Sequence, residues 1–102
     1  MNIKILNEAE LDIANGIEFY EVQKEGLGRY FYNSILSDIN SLQLYAGIHY
    51  RVKNFYRALS KNFPFAIYYK YNSNTIYIYA ILDCRQNPTW INTRLTKTKA
   101  DK

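Results

Sequence analysis

The stretch that decides the fold runs from residue 65 to residue 83: Phe65-Ala66-Ile67-Tyr68-Tyr69-Lys70-Tyr71-Asn72-Ser73-Asn74-Thr75-Ile76-Tyr77-Ile78-Tyr79-Ala80-Ile81-Leu82-Asp83. Phe65, Ile67, Tyr69 and Tyr71 alternate with Ala66, Tyr68 and Lys70, and a period of two belongs to a strand. Asn72-Ser73-Asn74 is a turn of small polar residues, so Thr75 to Asp83 is expected to return antiparallel to the first run. Strict alternation puts Ile76, Ile78, Ala80 and Leu82 on one side of that returning strand, and Tyr77, Tyr79 and Ile81 on the other. The β-branched and aromatic content suits a pleated surface. Upstream, Pro64 cannot donate to a ladder and marks a turn. Before it, Phe55, Arg57 and Leu59 alternate with Tyr56, Ala58 and Ser60, which predicts one more strand.

Further towards the N-terminus the period becomes helical. Phe31, Ile35, Leu36, Ile39 and Leu42 share one face of a helix ending near Tyr45 to Gly47. Gly26-Leu27-Gly28 separates it from an earlier helix carrying Leu11, Ile13, Ala14, Ile17 and Tyr20. Asn7 and Glu10 have the spacing of a capping pair, and Glu8 and Asp12 suit the positive end of a helix dipole. Gly16 costs that helix about 1 kcal/mol relative to alanine, yet the apolar period runs through it. Asn2 to Leu6 reads as a short strand. Pro88 suits the first turn of a closing helix reaching about Leu95. The reading is a single domain over residues 1–95 with a basic, flexible tail over 96–102.

Composition narrows the function. The chain has 102 residues, 48% hydrophobic and 22% charged, which fits one globular domain and excludes disorder for most of it. Its longest strongly apolar run, Ile76 to Leu82, falls far short of the ~20 residues of a membrane-spanning helix. The N-terminus turns acidic too early for a secretory signal, so a soluble cytoplasmic protein is expected. The lone Cys84 can form no internal disulfide, and the lone His49 leaves no zinc set, so neither metal nor cofactor is expected.

The net charge of +4 conceals an asymmetry. Up to Tyr45 the chain carries three basic and seven acidic residues, a balance of −4; from Ala46 it carries ten basic and two acidic, +8. A half-chain at +8 attracts polyanions or an acidic partner. Seven of the eleven tyrosines lie from Tyr50 onward among those cations. Rings beside cations can stack bases and contact phosphates, although tyrosine is also simply a good strand former. Together these readings give an α+β fold, β-α-α-β-β-β. A helical hairpin packs on one face of a small antiparallel sheet, and a short C-terminal helix closes the chain.

Three segments carry a resemblance. The first is Phe19-Tyr20-Glu21-Val22-Gln23 with Gly26-Leu27-Gly28-Arg29-Tyr30-Phe31. The second is Tyr56-Arg57-Ala58-Leu59 running into Phe63-Pro64-Phe65-Ala66-Ile67-Tyr68-Tyr69. The third is Tyr79-Ala80-Ile81-Leu82-Asp83-Cys84-Arg85-Gln86-Asn87-Pro88 with Trp90 and Arg94. In this order they resemble the RelE/ParE superfamily of bacterial type II toxin–antitoxin toxins, on the ParE-like side.

The resemblance implies a growth-inhibitory toxin neutralised by a cognate antitoxin in a hetero-oligomer, with a plasmid-stabilisation type of role. ParE-like members inhibit DNA gyrase; RelE-like members cleave messenger RNA on the ribosome. A metal-free ribonuclease must take a proton from a 2′-hydroxyl, stabilise the phosphate charge and protonate the leaving oxygen. Arg57 and Arg85 are the candidates for such a role, but Ala66 stands where another arginine is expected, and Trp90 has no proton to give at neutral pH. The set looks incomplete, which favours a binding toxin over the endoribonuclease. A third alternative is a diverged nucleic-acid- or antitoxin-binding module without toxicity. Target contacts are expected from Arg51, Lys53, Arg57, Lys61, Arg85 and Arg94, with no membrane involvement. Cys84 reads as an ordinary thiol, and Glu18, Glu21 and Glu25 as a solvated helix face. Trp90 is expected to pack the closing helix onto the sheet.

Overall fold

The computed structural model describes residues 1–100. Its elements are β1 (Asn2–Ile5), α1 (Asn7–Gln23), α2 (Leu27–Tyr45), β2 (Tyr50–Val52), β3 (Phe55–Leu59), β4 (Phe65–Asn72), β5 (Thr75–Asp83) and α3 (Pro88–Ala100). The α+β class, the helical hairpin and the closing helix are as the periodicity predicts. The closing helix continues past Leu95 to Ala100, and Asp101 and Lys102 of the expected tail lie outside the described residues.

The sheet has five strands in the order β1-β5-β4-β3-β2. It is mixed: β1 runs parallel to β5, pairing Asn2 with Thr75 and Ile5 with Ile78, while the other neighbours are antiparallel. A long connection permits this, since the whole helical hairpin and three strands lie between the two partners. The strand β2 was hidden from pattern reading because three residues are too few to show a period. It is joined to β3 by the two-residue turn Lys53-Asn54, both left-handed at φ 53° and 72°, the geometry that matches the twist of a hairpin.

Both faces of the sheet are covered, by different elements. On one, Ala58, Ile67, Tyr69, Ile76, Ile78 and Ile81 pack against Ile13, Tyr20, Phe31, Ile35 and Leu42 of the hairpin. On the other, Phe55, Ala66, Tyr68, Tyr79, Ala80 and Leu82 pack with Ile91 and Leu95 of α3. The expected alternation along β5 fails at one place. Tyr68 pairs with Ala80 but Tyr69 pairs with Ile78, so Tyr79 is an extra, bulged residue. Beyond the bulge the phase inverts: Ile81 turns to the hairpin face while Ala80 and Leu82 turn to α3.

The two helices approach closely because Gly16 has no side chain. A Cβ there would lie 2.5 Å from the ring of Phe31, which is fully buried between Tyr20, Phe63 and Phe65. The junction between the helices is held by Glu21. Its carboxylate accepts the N–H groups of Gly26 (3.0 Å) and Gly28 (2.9 Å), satisfying donors that the start of α2 would otherwise leave open. Those bonds hold the Glu21 carboxyl below its ordinary range. Glu21 therefore caps α2 while lying, as expected, on the exposed face with Glu18 and Glu25. Conversely, the Asn7–Glu10 capping pair does not form: Leu6 is the N-cap residue and no side chain caps the helix. Trp90 is 46% exposed and leaves the packing of α3 to Ile91 and Leu95.

Candidate functional site

No acidic residue lies between Asp38 and Asp83 in the sequence, so β2, β3 and β4 form a cationic, tyrosine-rich end of the sheet. The six basic residues expected to contact a target divide sharply once placed.

Arg51 and Lys53 are exposed on the β2–β3 ribbon. The guanidinium of Arg51 sits 4.8 Å from the centroid of the Tyr56 ring, a cation–π contact. Lys61 is exposed in the β3–β4 turn, anchored through its backbone: its N–H donates to Asp38, which also accepts the Ser60 hydroxyl at 2.6 Å.

Arg57 is half-buried in β3, on the α3 face. Its Nε donates to the Tyr68 hydroxyl at 3.1 Å and one Nη lies 3.5 Å from the Cys84 Sγ. The Tyr68 bond leads the causes raising its pKa. Among the described residues no carboxylate pairs with it, so its charge is available to a ligand. Beside it stand Tyr50, 80% exposed and directly paired with Arg57 across the ladder, and Leu59, 64% exposed.

Arg85 and Arg94 are engaged internally. Arg85 grips Asp83 through Nε–Oδ1 (2.9 Å) and Nη2–Oδ2 (2.7 Å), which lowers the Asp83 pKa. Its remaining surroundings include Tyr20, a residue of the hairpin core. Arg57 and Arg85 thus turn to opposite faces of the sheet. Arg94 donates from both Nη atoms to the two oxygens of Asp12 at 2.8 Å and from Nε to Glu8 at 3.1 Å. Asp12 also accepts the Ile81 N–H at 2.9 Å. Burial nevertheless pushes the Asp12 pKa above the ordinary value, opposed by Arg94 and that N–H. This arrangement clamps α3 to α1 and β5.

His49 stands in the loop after α2 and shares a hydrogen bond with the Tyr69 hydroxyl, which also accepts the Gly47 N–H at 3.0 Å. Because Tyr69 belongs to the hairpin core, His49 does not converge on Arg57. Desolvation lowers its pKa. Sequence reasoning missed Tyr68 and Cys84 as the neighbours of Arg57; the register of three strands brings them together, and no local signal announces it. Among the described residues, no group of three metal-ligating side chains gathers.

No protein-family model and no curated protein sequence matches the chain. Among solved structures, a chain of the "Chromosomal ParDE TA system from P. aeruginosa" superposes with a TM-score of 0.71 at 19% identity, over 79% of this chain and 92% of that one. The chain shares the fold of that ParDE-system chain. In this scaffold the two arginines of the ribonuclease alternative do not share a face. Of the six expected target contacts, Arg51, Lys53, Arg57 and Lys61 make no ion pair among the described residues. No helix among the described residues is long and apolar enough to cross a membrane.

Proposed function

We propose that this chain is the toxin of a type II toxin–antitoxin system, ParE-like in acting by binding, with DNA gyrase as its target. The observation that carries the reading is the structural likeness to a chain of a ParDE system. A binding mode is supported by the arginines: Arg94 and Arg85 are tied to carboxylates of the chain itself, so neither joins Arg57 in a ribonuclease set. The cognate antitoxin on this reading presents an acidic, partly apolar segment to the β2–β3 end, where charge is positive and Tyr50 is exposed. Both partners act in the cytoplasm of a bacterium, and the pair serves to stabilise a plasmid or a chromosomal segment.

The RelE-like alternative draws support from Arg57, a guanidinium without a carboxylate beside a tyrosine hydroxyl. Induced expression in bacteria separates the readings. Growth arrest with altered plasmid supercoiling and intact transcripts supports gyrase inhibition; codon-positioned transcript cuts support the endoribonuclease. Co-expression of the adjacent reading frame restores growth in either case. Unimpaired growth at verified soluble expression overturns the toxin reading and leaves a binding module.

A further inference from the structure

A cavity of about 300 Å³ opens between α1, the end of β5 and the start of α3, away from the cationic edge. Its base is apolar, formed by Gly16, Phe65, Ile81 and Leu82. Phe19 and Trp90 flank it as half-exposed rings, 52% and 46% exposed. The side-chain amides of Asn15 and Gln86 and the indole N–H of Trp90 line it, and none of the three bonds to another described residue. Its two carboxylates are already neutralised, Asp12 by Arg94 and Asp83 by Arg85. A shallower groove continues along α1 past Glu18, Phe19 and Val22. Leu11, Asn15, Phe19 and Val22 recur on one side of this helix, and Leu11 and Val22 are 60% and 81% exposed. Glu18 makes no ion pair among the described residues.

We infer that this cavity seats an aromatic side chain of a peptide partner, and that a basic residue a few positions along that peptide meets Glu18 over the groove. The volume lies at the lower end of the ~300–1,000 Å³ of small-ligand pockets, which suits one ring better than a whole cofactor. Buried aromatic anchors are the usual centres of protein interfaces. The unengaged amides match the neutral backbone on either side of such an anchor. The sign of charge selects the flank: with Asp12 and Asp83 neutralised and Glu18 without an ion pair over the groove, a cationic residue gains and an acidic one is repelled. This surface is therefore distinct from the β2 edge, which calls for an acidic partner, and it stands or falls independently of the toxin reading.

The test uses the whole chain and capped peptides. Trp90 is the only tryptophan, so its emission reports directly on the cavity. N-acetyl-Tyr-Ala-Ala-Lys-amide should change that emission saturably in the millimolar range expected of one anchored side chain. The Ala-Ala-Ala-Lys analogue should give no saturable change, and the Tyr-Ala-Ala-Glu analogue should bind at least about threefold more weakly. Glu18→Gln, an exposed change, should erase the preference for lysine over glutamate. Joint Asn15→Ala and Gln86→Ala should weaken binding roughly tenfold. Amide shifts by NMR should centre on Ile81 and Leu82. Absence of saturation by both readouts, an equal response to the alanine peptide, no charge preference, or shifts centred on Arg51 and Arg57 would each overturn the inference.

Discussion

Replacing Arg94 by methionine removes both charge-assisted bonds to Asp12 while keeping most of the side-chain volume. Side-chain exposures of 16% for Arg94 and 11% for Asp12 make this nearly a buried pair. Breaking a buried pair by removing one partner typically costs ~3–5 kcal/mol. Asp12 keeps the Ile81 N–H and both groups touch some water, so about 2–3 kcal/mol applies here, at or below the lower end of that range. For a domain of this size that lowers the melting temperature by about 10–20 °C. The loss should depend on pH in a definite direction. Burial already raises the Asp12 pKa against the pull of Arg94, and without Arg94 it rises further. A carboxyl whose folded pKa exceeds its unfolded value of about 3.9 is stabilised by protonation as pH falls through the folded value. The gap between variant and parent should therefore narrow from pH 7 towards about pH 4. Asp12→Asn added to Arg94→Met should recover more than half of the loss, because a neutral amide can still accept the Ile81 N–H. Urea unfolding followed by circular dichroism measures all three chains. Equal midpoints for parent and Arg94→Met, or a gap that ignores pH, would refute the clamp and return Arg94 to the set of target-facing cations.

Gly16→Ala gains about 1 kcal/mol of helix propensity but forces a methyl against the immobile Phe31 ring, which costs ~1–3 kcal/mol or more. A net loss is expected in urea melts, and a gain would contradict the close helix crossing. Glu21→Ala should lower the melting temperature at pH 7 and have little effect at strongly acid pH. The depressed Glu21 pKa contributes stability above the unfolded carboxylate value, and that contribution is lost as pH falls through the folded one. An equal effect at both pH values would count against the cap. His49 should titrate by NMR below the ordinary value of about 6.5. The unfolded chain then takes the proton first, so the fold loses stability as pH drops below that value; a midpoint above it contradicts the buried Tyr69 contact. Arg57→Gln should weaken growth arrest while shifting stability by only ~1 kcal/mol, one side-chain hydrogen bond, and undiminished arrest would remove Arg57 from the target face.

The elements with a long apolar period were legible: Phe31 to Leu42 and Phe65 to Tyr71 need only their own spacing to declare a helix and a strand. What escaped depended on partners distant in the chain. Tyr79 looks like any alternating residue until the β4 register leaves it unpaired. Arg94 looks like a free surface cation until Asp12, 82 positions earlier, is seen beneath it. Glu21 resembles Glu18 in sequence, and only the turn at Gly26, left-handed at φ 90°, folds two N–H donors onto one of them and not the other. The Asn7–Glu10 spacing misled because the chain enters α1 from an extended Leu6 whose predecessor is already fixed in the sheet. The cationic site was legible as a charge count, but not which cations are neutralised within the chain.

The pairing of β1 with β5 carries a consequence for synthesis. The first strand to leave the ribosome finds its ladder only at Thr75 to Ile78, and α1 receives the Ile81 and Arg94 bonds later still. Such long-range closure slows folding and concentrates it at the end of translation. A message broken, or a ribosome stalled, before the codon for Thr75 yields a fragment in which the opening strand has no ladder to join and α1 has only α2 and the β3–β4 strands to pack on. The five-stranded sheet is thus complete only once the last quarter of the polypeptide has been made.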